Sequence, residues 1–90
     1  MPTILVIDDE QDILDLLEYN LGRDGYSVLL ATDGEEGFEL AKNYKPDLII
    51  LDLMMPKISG LDVCKKIQNE NTISHIPIIC LLYTSDAADE

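Results

Sequence analysis

The chain is short of positive charge: six lysines and arginines stand against 18 aspartates and glutamates, a formal net charge of −12. A surface that grips nucleic acid or an anionic membrane needs a basic patch, so neither is expected as a direct partner. Cysteine is scarce as well. Cys64 and Cys80, 16 positions apart and with no CxxC, make neither a disulfide framework nor a zinc site. Tryptophan is missing and aromatic residues are 6% of the chain. No apolar run approaches the roughly 20 residues of a membrane-spanning helix. The opening Met1-Pro2-Thr3 lacks the basic start of a secretory signal, which points to a cytoplasmic domain. Gly34 and Gly37 form no phosphate-cradling loop, because neither GxGxxG nor GxxxxGK[ST] occurs.

What is present is 90 residues, 47% hydrophobic and 27% charged, enough for one compact domain. The acidic balance suits a cation site or a basic protein partner. Thr3 to Ile7 is a β-branched and leucine run of the kind covered on both faces of a sheet. Ile13, Leu16, Leu17 and Leu21 recur at helical spacing between Gln11 and Leu21, and Gly22 and Gly25 mark the exit. Tyr26 to Ala31 predicts a second strand. Asp33 with Glu36 forms a capping box for a second helix reaching about Tyr44 and burying Phe38, Ala41 and Tyr44; Lys45-Pro46 ends it. Asp47 to Leu51 is a third strand. Ser59 with Asp62 caps a third helix with Leu61, Cys64 and Ile67 on its buried face, and Ile76 to Leu82 is a fourth strand. The β-α-β-α-β-α-β order predicts an α/β fold, a doubly wound parallel sheet with right-handed crossovers and helices on both faces.

Open sheets of this kind place their chemistry beyond the carboxyl ends of the strands. Asp8 and Asp9 close the first strand and Asp52 closes the third. If those strands are neighbours, about 4.8 Å apart, the three carboxylates meet in one crevice. Helix capping is a competing explanation for the acids at 8, 9 and 10. Matched strand ends favour a divalent cation instead, since clustered like charges repel and a hard ion such as Mg²⁺ takes oxygen ligands.

Ile4-Leu5-Val6-Ile7-Asp8-Asp9-Glu10, Asp47-Leu48-Ile49-Ile50-Leu51-Asp52-Leu53-Met54-Met55-Pro56, Ser59-Gly60 and Ile76-Pro77-Ile78-Ile79 together resemble a bacterial two-component response-regulator receiver domain. The resemblance covers residues 3 to about 79. It implies a flavodoxin-like fold with strand order 2-1-3-4. It also implies that Asp52 accepts a phosphoryl group from a sensor histidine kinase or phosphotransfer protein, with Mg²⁺ as cofactor. Asp8, Asp9, Asp52 and the backbone carbonyl of Met54 match the metal ligands, and Met55, Pro56 and Gly60 match the rim of the site. Phosphoryl transfer of this kind is mainly positioning and charge neutralisation.

Two features of the family's pattern are missing. The Ser or Thr that ends the fourth strand is replaced by Leu82, with Thr84 two residues on. The lysine at the end of a fifth strand has no counterpart. A complete receiver has about 120 residues, within the usual domain range, so the fifth strand and last two helices are expected to be missing, along with any output domain. Residues 80–90 resemble a translated transposon-end sequencing adapter, which divides the chain into a partial receiver (1–79) and a non-native tail (80–90). Rival functions are a Mg²⁺-dependent aspartyl-phosphate hydrolase and a non-phosphorylated protein-binding fold. The hydrolase needs an acid two residues after the nucleophile, where this chain has Met54. His75, in the loop before the fourth strand, reads as a solvated side chain, and Cys64 as a small hydrophobe.

Overall fold

The computed structural model describes residues 1–55 and 59–81. Four strands, β1 (Thr3–Ile7), β2 (Ser27–Ala31), β3 (Leu48–Asp52) and β4 (Ile78–Leu81), alternate with helices α1 (Gln11–Arg23), α2 (Gly34–Tyr44) and α3 (Gly60–Asn69). The sheet order is β2-β1-β3-β4, every pairing parallel. This is the flavodoxin-like arrangement, in which β1 and β3 lie side by side. Asp47 ties their amino ends together, its Oδ2 accepting from the Thr3 N–H at 2.8 Å.

Strand alternation splits the core into two layers. Leu5, Ile7, Ile49 and Leu51 point to one face, where Ala41 of α2 and Val63 and Ile67 of α3 cover them. Ile4, Val6 and Ile50 point to the other, where α1 supplies Leu14, with Leu17 and Leu21 beside it. The α1 stripe is thus Leu14–Leu17–Leu21, whereas Leu16 is 56% exposed. A helix with apolar residues on consecutive positions offers two stripes at the same spacing, and its docking angle selects one. The same correction applies to α3, which buries Gly60, Val63 and Ile67 and turns Leu61 outward. In α2, Tyr44 is exposed in the last turn, and two buried glycines bring the helix onto the sheet. A Cβ at Gly37 would collide with the Ile7 side chain, so this close approach requires glycine.

The Asp33 cap is present, its Oδ1 accepting from the Glu36 N–H at 2.8 Å, while Glu36 reaches back to the Thr32 N–H. Lys45 ends α2, as expected of the residue before proline, in a left-handed conformation (φ 46), and its N–H bonds to the Ala41 carbonyl. Helix α1 runs through Gly22, and Gly25 (φ 95) makes the turn. Strand β4 starts two residues later than expected. Ile76, with Ile73, is instead buried from the connection, where successive turns link the backbone of Ile67, Glu70, Ile73 and Ile76.

Candidate functional site

The β1–β3 register pairs Ile7 with Leu51, so the next residues on each strand, Asp8 and Asp52, emerge side by side at the carboxyl end of the sheet. The backbone holds each of them in place. The Asp8 N–H donates to the Ala31 carbonyl of β2, and Leu53 N–H donates to the Leu81 carbonyl of β4. Both side chains make the same local turn: Asp8 Oδ1 accepts from the Glu10 N–H at 2.9 Å and Asp52 Oδ1 from the Met54 N–H at 2.8 Å. Asp8 is 0% and Asp52 2% exposed, whereas Asp9 faces solvent. One carboxylate oxygen from each of the three lies within 4.8 Å of the others.

Helix capping does not account for this cluster. Glu10 occupies the N-cap of α1 without a side-chain cap bond, and α3 is capped by Ser59, whose Oγ accepts from the Leu61 N–H. The electrostatics follow from the placement. Burial pushes the Asp52 carboxyl above its ordinary range; the Met54 N–H opposes this, and the charges of Asp8 and Asp9 and a hydrogen bond with Asp8 add to it. An environment that disfavours a lone anion this way is relieved by a cation. The donor set fits a hard divalent ion: all ligand atoms are carboxylate oxygens, and they lie within 4.8 Å of one another.

The remaining predicted residues fall into three groups. Gly60 sits against the end of β3, where a Cβ would overlap the Asp52 carbonyl and Leu53, so α3 can begin this close to the site only on glycine. Met54 is exposed, and Met55 is buried in the core cluster. Pro56 and Leu82, with Thr84, lie outside the described residues. His75 is exposed, in line with a solvated loop position. The Met54 N–H is the functional group that pattern reading missed. Its signal was the Asp-Leu-Met step just past a buried strand, where a carboxylate readily accepts from the amide two residues on.

Comparison with known proteins agrees with this geometry. The family model described as "Response regulator receiver domain" matches residues 4–90. The Bacillus subtilis alkaline phosphatase synthesis transcriptional regulatory protein PhoP is 46% identical over 97% of this chain and 35% of its own length. The Synechocystis DNA-binding dual master transcriptional regulator RpaA is 42% identical over 100% of this chain and 37% of its own. The chain therefore spans little more than a third of the curated relatives it matches. Among solved structures, the Thermotoga maritima response regulator TrrA in complex with Mg²⁺-BeF superposes with a TM-score of 0.85 at 40% identity, over 94% of this chain and 72% of that one. Chemotaxis response regulator CheY4 of Vibrio cholerae gives 0.89 at 29% identity, over 94% and 71%. Sequence, sheet order and the convergence of the three aspartates agree: the chain belongs to the response-regulator receiver domain family.

Proposed function

We propose that this chain is the phosphoacceptor module of a cytoplasmic two-component system. In this reading Asp52 is the acceptor, and a sensor histidine kinase or phosphotransfer protein is the donor. The observation that carries the reading is the meeting of Asp8, Asp9 and Asp52 at the carboxyl ends of β1 and β3. An Asp52 carboxylate oxygen attacks the phosphorus of a phosphohistidine, the P–N bond breaks, and an acyl phosphate forms on Asp52. The Met54 N–H holds the Asp52 carboxylate in one orientation for that attack. Asp8, Asp9 and Asp52, with the Met54 carbonyl, would hold Mg²⁺, which would supply charge neutralisation to the phosphoryl group. The Mg²⁺-BeF complex of TrrA supports the same ligand class here. Gly60 and Met55 shape the loop beside the acceptor, together with Pro56.

Exposed Met54 stands where a phosphohydrolase places its acid, which weighs against turnover of phosphomonoesters. Leu82 offers no hydroxyl to follow the phosphoryl group, so we further propose that phosphorylation shifts the fold of this chain little. Residues 80–90 we propose to be non-native; coding DNA that lacks the adapter string over codons 80–90 refutes that.

Incubation with Mg²⁺ and acetyl phosphate tests the acceptor. Intact mass is expected to rise by about 80 Da, the mass of one phosphoryl group, and not to rise for Asp52→Asn. An adduct that persists in Asp52→Asn overturns the assignment. Steady release of phosphate from phosphomonoesters would favour the hydrolase, and no adduct with no turnover the binding fold. Calorimetric titration of Mg²⁺ is expected to show affinity at least about tenfold weaker in Asp9→Ala; equal affinities would remove Asp9 from the ligand set.

A further inference from the structure

Met54 joins the acidic cluster through its backbone while its side chain stands in water. Its N–H donates to Asp52 Oδ1 at 2.8 Å, so the side chain branches one bond away from an atom that orients the acceptor. The residues on either side pack inward: Leu53 is half-buried against the core and Met55 is buried in it. Met54 between them is 58% exposed. Its thioether sulfur is the one atom of an otherwise inert apolar side chain that oxidants attack. The three methionines differ in reach and place. Met1 is exposed ahead of the amino end of β1, Met54 is exposed just past the carboxyl end of β3, and Met55 is shielded.

We propose that Met54 is a modification site, at which a peroxide forms a sulfoxide that hinders phosphorylation of Asp52. The Met54 sulfur attacks one peroxide oxygen, the O–O bond breaks, an S–O bond forms, and water leaves. The sulfur loses two electrons and the peroxide gains them. An apolar thioether is thereby replaced by a polar group whose oxygen is the negative end of its dipole. That oxygen is added beside a crevice where three carboxylates already lie within 4.8 Å of one another. A phosphoryl donor brings further negative charge to the same place, so the sulfoxide opposes its approach. The reaction at sulfur stands by itself, and its effect on Asp52 rests on the proposed phosphoacceptor role.

The full chain is treated with hydrogen peroxide and then with dithiothreitol, which returns reversibly oxidised thiols to their reduced form. Peptide fragmentation then places the added oxygen. Met54 is expected to gain about 16 Da, the mass of one oxygen, well before Met55 does. The treated chain is expected to take the phosphoryl group from acetyl phosphate severalfold more slowly than the untreated chain. Methionine sulfoxide reductases are expected to restore the rate. Met54→Leu, whatever its starting rate, should keep that rate after treatment; a loss as large as that of the wild type would assign the effect to another residue and overturn the proposal. A Met54 that stays unoxidised while Met1 reacts, or that reacts no faster than Met55, overturns the site. Full conversion at Met54 with an unchanged rate overturns its effect. An untreated chain that takes no phosphoryl group defeats the acceptor role itself, a failure distinct from either of these because the mass of Met54 is read separately.

Discussion

The centre of the sheet and its β4 margin are built from the same kind of residue and fare differently. Leu5, Val6 and Ile7 of β1 have no exposure at all, while Ile79 of β4, an equally apolar residue, is 50% exposed. Position in the sheet order makes the difference. β1 lies between β2 and β3 with helices on both faces, whereas β4 pairs with β3 alone among the described residues. The acidic residues of the candidate site stand at the ends of β1 and β3, the two inner strands of the sheet. Rigid support of this kind keeps charged groups at fixed separations, as a binding constellation requires.

The largest test of this contrast is a truncation in the centre against one at the margin. Leu5→Ala removes a fully buried side chain and is expected to cost about 3–5 kcal/mol in urea unfolding, enough to unfold a domain of this size. Ile79→Ala is expected to cost less than about 1 kcal/mol, since much of that side chain is already in water. Equal losses would break the comparison.

Next comes Gly60→Ala, which forces a Cβ against the Asp52 carbonyl and Leu53. It should cost about 2 kcal/mol through the backbone shift it imposes, and it should weaken Mg²⁺ binding as well. Unchanged stability and metal affinity would mean that α3 can back away freely.

Asp52→Asn should act in the opposite direction. Burial raises the Asp52 pKa in the fold, so the folded protein holds that proton more tightly than the unfolded chain does. Relative to neutral pH, the folded state gains stability at acid pH, where Asp52 is protonated in both states. That gain is lost as pH rises through the unfolded and then the folded pKa. Asn carries no charge, so the variant is expected to melt about 5 °C higher than wild type at neutral pH without metal. The advantage should shrink toward about pH 3, below the ordinary carboxylate range. A pH-independent difference between the two proteins would assign the effect to something other than ionisation.

The smallest expected effect is that of Ile79→Lys. Monomer stability should change by no more than about 0.5 kcal/mol, while concentration-dependent association, followed by light scattering, should fall because a charge on an edge strand opposes pairing with another chain.

The strands and the aspartates could be read from the sequence because both depend on local runs: an apolar stretch, then an acid. Helix faces were harder. Leu16 and Leu61 sit at helical spacing from buried neighbours, yet Leu14 and Val63 face the sheet instead, because docking selects among overlapping stripes that sequence periodicity leaves equal. Ile73 was missed for a related reason, since a connection of consecutive turns has no period to detect. At the site, Asp8, Asp9 and Asp52 were visible through matched strand ends, and the Gly60 contact required the path of the β3–α3 loop.

The paired turns at Asp8 and Asp52 carry a thermodynamic consequence of their own. Each carboxylate is tethered through Oδ1 to an amide two residues onward, and neither tether involves an ion. The rotational freedom of these side chains is therefore already spent when the chain folds. A cation held at the proposed site would meet carboxylates already oriented by the fold, so its binding would cost little further ordering of the polypeptide.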